Sequence, residues 1–449
     1  MLTNSLAEYD RLHWVHPVSA WQDHAKKGPL IFDRAEGIYL YDVNGKQYLD
    51  GFAGLWCVNV GYGQNSIVEA VRAQMEKLPY ATGYFGYASE PAIRLAQKLA
   101  EITPGDLNHV YFALGGSDAI DGAVRFIDLY WNLQGQRQRR HVISVEKGYH
   151  GSSSTGAGIT ALPAFHANFS LPLPTQHRIP SPHPYRSPYS TDAEIIAASV
   201  QALKDKVAEL GAENVAAFFV EPVQGSGGVI VPPKGWLGAL RAACTELGIL
   251  MVIDEVITGF GRTGVMFAQE TEGVHADIMT VAKGLTSGYV PMGACILSEK
   301  VYSTIANLSP GGQAIGHGQT YSGHPVAAAA ALEVIRLYQE DGILENAGRL
   351  SPYFLERLNT LCDHPLVGDV RASGLLAGIE VVADKATKET FSEASGFASR
   401  LGAALLENGL IARCFSDATI GLAPALNISR DEIDMIVDRI RKSLDAVSE

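Results

Sequence analysis

The sequence predicts an α/β protein: a mostly parallel sheet wrapped by helices, followed by a second, smaller α+β lobe. Short apolar runs alternate with helical or loop segments between residues 110 and 297, as repeated βαβ units require. Past residue 326 the texture changes to long amphipathic stretches around one strand signal. The chain has 449 residues, enough for two or more lobes and a large core.

Taken in order, residues 1–60 are polar and turn-rich, with a hairpin signal from Gly37 to Gly45. SIVEAVRAQMEKL, residues 66–78, has helical spacing of its apolar positions, and a second helix is expected over 90–102. Six strands follow: VYFAL (110–114), VISV (142–145), AAFFV (216–220), ILMVI (249–253), IMTVA (278–282) and ACIL (294–297). Parallel neighbours among them need right-handed crossovers. The proline-rich stretch 170–190 is expected to be a long irregular loop, with only weak likeness to a polyproline ligand. VAAAAALEVIRLYQ reads as a long helix, LLAGIEVV as a strand, and FASRLGAALLENG and 430–447 as helices. No internal repeat is visible.

Composition narrows the function classes. Hydrophobic residues make up 47% and charged residues 18%, the balance of a folded soluble globule rather than a disordered chain. A net charge of −13 argues against a nucleic-acid surface or an anionic-membrane patch. The five cysteines are scattered and odd in number, with no C-x-x-C pair, which suggests neither a disulfide framework nor a zinc ribbon. The first residues lack a secretory pattern and no run is long enough to span a bilayer, so a cytoplasmic protein is expected.

Five of the apolar runs end in residues too specific for bare turns. These are Gly115-Gly116-Ser117-Asp118, Glu146-Lys147-Gly148-Tyr149-His150-Gly151, Glu221-Pro222-Val223-Gln224-Gly225, Asp254-Glu255-Val256 and Lys283-Gly284. Ligands of open α/β sheets bind outside the carboxyl ends of the strands, so five such ends point to one cleft. Glycines before a helix let an anion approach free backbone N–H groups, although an ordinary capped turn reads the same way. Asp254 is either a capping residue or a carboxylate poised against a cationic ring nitrogen. Tyr149-His150 is either a common loop pair or a stacking ring with a brace for a carboxylate. A lone lysine ending a buried run is usually one that snorkels to water. Together, a phosphate cup, a carboxylate, an aromatic plate and one lysine suggest pyridoxal 5′-phosphate. A desolvated lysine loses its proton readily and can form a Schiff base.

Other chemistries find less support. Gly259-Phe260-Gly261-Arg262-Thr263-Gly264 matches G-x-G-x-x-G, but it does not directly follow its strand and no clear helix opens from it. His317 and His324 lack metal spacing, and no carboxylate–histidine cluster is apparent, so no metal is expected. No G-x-S-x-G elbow is present.

Six blocks then carry a resemblance: Gly51-Phe-Ala-Gly-Leu-Trp56-Cys-Val-Asn-Val-Gly61, Gly148-Tyr-His-Gly151, Ala217-Phe-Phe-Val-Glu221-Pro222, Asp254 to Gly264, Ala282-Lys283-Gly-Leu-Thr-Ser-Gly288 and Thr320-Tyr-Ser-Gly-His-Pro325. Over nearly its whole length the chain resembles class III (omega) aminotransferases of the fold type I pyridoxal-phosphate superfamily. The resemblance implies that Lys283 holds the cofactor and shuttles a proton, and that Asp254 pairs with the ring nitrogen with His150 behind it. Tyr149 and Val256 would sandwich the ring. Gly116 and Ser117 would bind the phosphate, joined by Thr320 of a partner subunit, and Glu221 would lie near the ring's polar edge. Trp56 would line the substrate pocket, Tyr84 or Phe85 would reach across from the other chain, and Arg413 would be a mobile arginine for a substrate carboxylate; residues 413–419 read as the loop that carries it, the alternative being a surface arginine paired with Asp417. A homodimer or dimer of dimers with shared active sites is implied. So is a large cofactor-binding domain over 61–325, with 326–449 forming a small domain against which 1–60 packs.

The resemblance is to the branch using pyruvate as amino acceptor, with ω-amino acids, diamines or primary amines as donors. Three departures stand out. The phosphate motif is Gly115-Gly116-Ser117-Asp118 in place of Ser-Gly-Ser/Thr-Glu. Val18 follows His16-Pro17 where some relatives have an aromatic. Ala164 stands where some have tyrosine, and both of these last two changes would enlarge the pocket unless Trp21 or Phe165 refills it. An aminomutase or decarboxylase of the same fold, or a catalytically dead cofactor-binding regulator, are the alternatives.

Overall fold

The computed structural model describes residues 2–448; Met1 and Glu449, the outer limits of the expected terminal segments, lie outside the described residues. The N-terminal region is not only turns. It opens with two helices, α1 (Leu2–His13) and α2 (Trp21–Lys27). Leu6, Tyr9 and Leu12 of α1 stay exposed and α2 buries none of its residues, so neither helix has the core-facing stripe that marks one in sequence. The strands β1 (Phe32–Glu36), β2 (Tyr39–Asp42) and β3 (Gln47–Asp50) form an antiparallel meander. The expected hairpin is the β2–β3 connection, where Asp42 Oδ1 accepts from the backbone N–H groups of Asn44 and Lys46, both at 2.9 Å.

All six expected strands form. With one addition they make the central sheet: β4 (Leu107–Ala113), β5 (His141–Val145), β6 (Gln176–Ile179), β7 (Val215–Val220), β8 (Leu250–Asp254), β9 (Ile278–Val281) and β10 (Gly293–Ser298). Their order is β4-β10-β9-β8-β7-β5-β6, and only β10 runs against its neighbours. The addition corrects the reading of 170–190 as irregular. Gln176–Ile179 pairs parallel to β5 at the sheet edge, the place where flanking prolines do least harm to a ladder. Alternate residues of the central strands enter two separate cores. Phe218, Met251, Ile253 and Met279 pack in one core with the helices Trp236–Leu247 and Pro325–Glu340. Phe219, Val252 and Ile278 pack in the other with the helix Gly116–Leu133. Burial on both faces explains the uninterrupted apolar runs.

The C-terminal region adds β11 (Val367–Ser373), β12 (Leu376–Val381), β13 (Leu410–Ile411), β14 (Arg413–Cys414) and β15 (Ile420–Leu422). A small sheet forms in the order β11-β12-β15-β14. β13 leaves it to pair parallel with β3, Leu410 opposite Leu49, which ties the two ends of the chain together. The Gly259–Gly264 stretch is a run of turns around a fully buried Arg262. Its guanidinium donates to Asn59 Oδ1 at 2.7 Å and to the carbonyls of Leu375 and Pro424, so this G-x-G-x-x-G is a joint between three chain segments. Among the described residues, no helix is long and apolar enough to cross a membrane.

Candidate active site

The carboxyl ends of the central strands open into one cavity of about 540 Å³. Asp254, the last residue of β8, is buried at its floor. Its Oδ1 accepts from the Val256 N–H and the Thr280 hydroxyl, each at 3.1 Å, and its Oδ2 faces His150 Nδ1 at 2.9 Å. The expected brace is therefore in place, and the capping bond is made too. His150 Nε2 has no partner, so Nδ1 is the nitrogen whose proton has an acceptor. His150 itself is fixed by its backbone N–H donating to Thr160 Oγ1 at 2.8 Å.

Glu221 follows β7. Its two oxygens accept from the N–H groups of Tyr149, at 2.8 Å, and Gly225, at 3.0 Å. Burial, together with the Asp254 charge, pushes its carboxyl up to about 7, against the pull of His150 and the two N–H donors. Lys283 stands just past β9 with φ +44°, left-handed backbone that a lysine rarely adopts. It lines the cavity and forms no ion pair among the described residues. Burial lowers its pKa, opposed by the charges of Asp254 and Glu221. Lys147, the other lysine that closely follows one of these apolar runs, is exposed and lies outside the cavity lining.

On the opposite side Gly116 opens the helix Gly116–Leu133, and no side chain caps its first turn. A Cβ at Gly116 would stand 3.0 Å from Val256 Cγ1, so only glycine lets backbone and valine close together here. Ser117 Oγ accepts from the Ser152 N–H at 3.0 Å. An uncapped helix start of this kind attracts anions. Tyr149 lines the cavity with its ring edge-on to Phe165, centroids 5.3 Å apart. Trp56 also lines it, in a left-handed conformation (φ +61°) and edge-on to Phe52 at 4.6 Å.

Arg413 reaches the cavity from the C-terminal sheet. The expectation of an arginine on a loop needs correction: Arg413 opens β14, opposite Gly421 of β15, and only the residues that follow it form the turn. Its guanidinium lies 5.4 Å from the Phe415 ring centroid. Asp417 is not its partner, since Asp417 Oδ1 accepts from the Thr419 N–H instead. Three expected residues do not reach this cavity in their own chain. Phe85 is 89% exposed and Tyr84 37%, and Thr320 is exposed with its carbonyl accepting from the Tyr80 hydroxyl at 2.9 Å. Val18 lines the mouth. Ala164 does not, but Phe165 fills that side, whereas Trp21 stays away.

Sequence reasoning did not find Phe415, Leu162 or Ser226, which also line the cavity; an isolated residue in a connection carries no periodic signal. The expectation of no carboxylate–histidine cluster also fails. Asp10, His16 and His24 converge beside the cavity mouth, from positions whose spacing follows no helical metal pattern.

A glycine cradle that a Cβ would fill, an uncapped helix start, a deprotonation-prone lysine and a braced carboxylate fit pyridoxal 5′-phosphate. The comparisons agree. Residues 21–444 match the family described as aminotransferase class-III. The chain is 41% identical over 438 residues to a putrescine–pyruvate aminotransferase of Pseudomonas aeruginosa, covering 97% of this chain and 94% of that protein. It superposes on an (S)-enantioselective omega-transaminase from Thermomicrobium roseum with a TM-score of 0.96, 41% identity and 99% of each chain covered. It also superposes on the omega transaminase of Pseudomonas jessenii in complex with PMP, with a TM-score of 0.96 at 36% identity, over 99% of this chain and 98% of that one. The chain therefore belongs to the class III aminotransferases and is a pyridoxal 5′-phosphate-dependent transaminase.

Proposed function

We propose that this enzyme moves an amino group from a primary amine, diamine or ω-amino acid to pyruvate in a ping-pong exchange. When bound, the cofactor supplies a reactive carbonyl and a ring that accepts electrons. Lys283 Nζ would anchor it and then carry the proton at the substrate carbon, a task suited to an amine whose pKa burial has lowered. Asp254, fixed by three donors, would keep a proton on the ring nitrogen. His150 keeps that carboxylate in place. Glu221 would border the ring's polar edge, Tyr149 and Val256 would hold its two faces, and the N–H groups of Gly116 and Ser117 would hold the phosphate. Trp56 shapes the substrate side.

The observation that favours a keto-acid acceptor is Arg413, an arginine at the cavity with no carboxylate partner among the described residues. A planar guanidinium suits bidentate capture of a carboxylate. Its exposure lets it turn to water when the donor is an apolar amine. The exposed Tyr84, Phe85 and Thr320 support a homodimer in which they complete the partner's site. We read 61–325 as the cofactor domain and 326–449 as a small domain joined by 1–60, a division that the β3–β13 pairing favours. Five free cysteines suit a cytoplasmic enzyme.

The test follows the cofactor's absorbance in separate half-reactions. Putrescine, β-alanine and benzylamine should each be offered first, then pyruvate or 2-oxoglutarate. Alanine formed from pyruvate without carbon dioxide supports the reading. Carbon dioxide release, or no response to any amine, overturns it.

A further inference from the structure

We infer that Asp10, His16 and His24 form a divalent transition-metal site, of the zinc class, that clips the N-terminal segment beside the cavity mouth. His16 Nε2 lies 2.6 Å from Asp10 Oδ2, and His24 Nε2 lies 2.6 Å from Asp10 Oδ1. The two imidazoles are 4.3 Å apart, and one ligand atom from each of the three residues falls within 4.8 Å of the others. Two imidazoles and one carboxylate are the donor set that suits zinc, cobalt or nickel, with a fourth position left for water. Tetrahedral bonds of about 2.0–2.1 Å set neighbouring ligand atoms roughly 3.3 Å apart, a spacing inside the 4.8 Å that bounds this trio.

The setting separates this cluster from a chance surface contact. Between residues 8 and 27, every residue except these three is exposed, including Trp14, Val15, Val18 and Trp21. The segment has turned its apolar side chains out and its ligand-type side chains in. Small units without an apolar core commonly depend on a metal for order. The trio also links separate pieces: Asp10 sits on α1, His24 on α2 and His16 in the turn between them. The His16 ring stacks on Trp14 at 4.4 Å, and its carbonyl accepts from Trp21 Nε1 and the Ser19 hydroxyl, each at 3.0 Å. These contacts fix the ligand as outer partners do in metal sites. Pro17 and Val18, next in sequence to His16, line the cavity, so a metal here holds part of the substrate entrance in position.

The site is independent of the transaminase reading, and its test does not use activity. Untagged, cofactor-loaded full-length protein is dialysed against micromolar zinc chloride, and bound metal is counted per chain by elemental analysis. Wild type should take up one zinc more per chain than the His16→Ala/His24→Ala variant, and magnesium should not compete. The near-isosteric Asp10→Asn should raise the zinc Kd at least ~10-fold while keeping the cofactor spectrum. Cobalt should give tetrahedral visible bands and quench tryptophan emission in wild type alone, because Trp14 touches a ligand. Equal uptake by wild type and both variants, or no uptake by wild type, overturns the proposal.

Discussion

The floor of the cavity and its rim are built on opposite plans. Asp254, Glu221 and His150 are buried on or beside central strands, and every hydrogen-bonding oxygen of the two carboxylates already has a donor. Arg413 and Val18 are exposed residues on a two-residue strand and an N-terminal turn. The floor cannot move without unsatisfying buried polar groups, which costs about 1–3 kcal/mol each. Side chains at the rim can turn or be replaced without disturbing the central sheet. A fixed proton-handling centre with an adjustable rim lets one enzyme accept two unlike substrates in turn.

The comparison breaks first at Lys283. Lys283→Ala should lower turnover by more than about 10⁴-fold while the protein still binds the cofactor noncovalently, since the helix start and Asp254 remain. Activity near wild type would move the chemistry elsewhere. Asp254→Asn should leave the circular dichroism unchanged and slow the amine half-reaction roughly 10²–10³-fold, the scale of losing one electrostatic stabiliser. A normal rate would reduce Asp254 to a cap.

At the rim, Arg413→Ala should weaken the pyruvate half-reaction by about 2–4 kcal/mol and spare the half-reaction of an amine lacking a carboxylate. Equal losses in both half-reactions would put Arg413 among the floor residues. The smallest effect is one of pH. Glu221 has a folded pKa of about 7, raised above its unfolded value of about 4.3, so its contribution to stability is full below pH ~4 and is lost as pH rises through 7. In cofactor-free protein, Glu221→Gln should gain stability relative to wild type between pH 5 and 8, by up to roughly 3 kcal/mol. A difference that is flat with pH would mean that the carboxylate is not desolvated.

The same contrast explains what was legible in the sequence. The floor was readable because each polar residue interrupts or ends an apolar run: Asp254 after LMVI, Glu221 after FFV, Lys283 after TVA. That His150 contacts Asp254 was not readable from pattern, since 104 residues separate them; only the family resemblance supplied it. β6 was hidden by the prolines around it. β13, β14 and β15 are two or three residues long, too short to show any period, so Arg413 looked like a loop residue. Asp10, His16 and His24 were invisible because their contact depends on how α1 and α2 are set against each other.

The reversed strand β10 also acts as a ruler. It separates β4, which leads to the glycine cradle, from β9, which leads to Lys283. The two halves of the site are therefore held two strand intervals apart, roughly 10 Å. Gly293, the first residue of β10, sits in that gap, where an added Cβ would meet the Gly115 carbonyl oxygen at 2.5 Å and the Val281 carbonyl oxygen at 3.0 Å. A single methyl group at Gly293 would wedge the cradle away from the lysine and lengthen the ruler, although Gly293 itself is not among the residues that line the cavity.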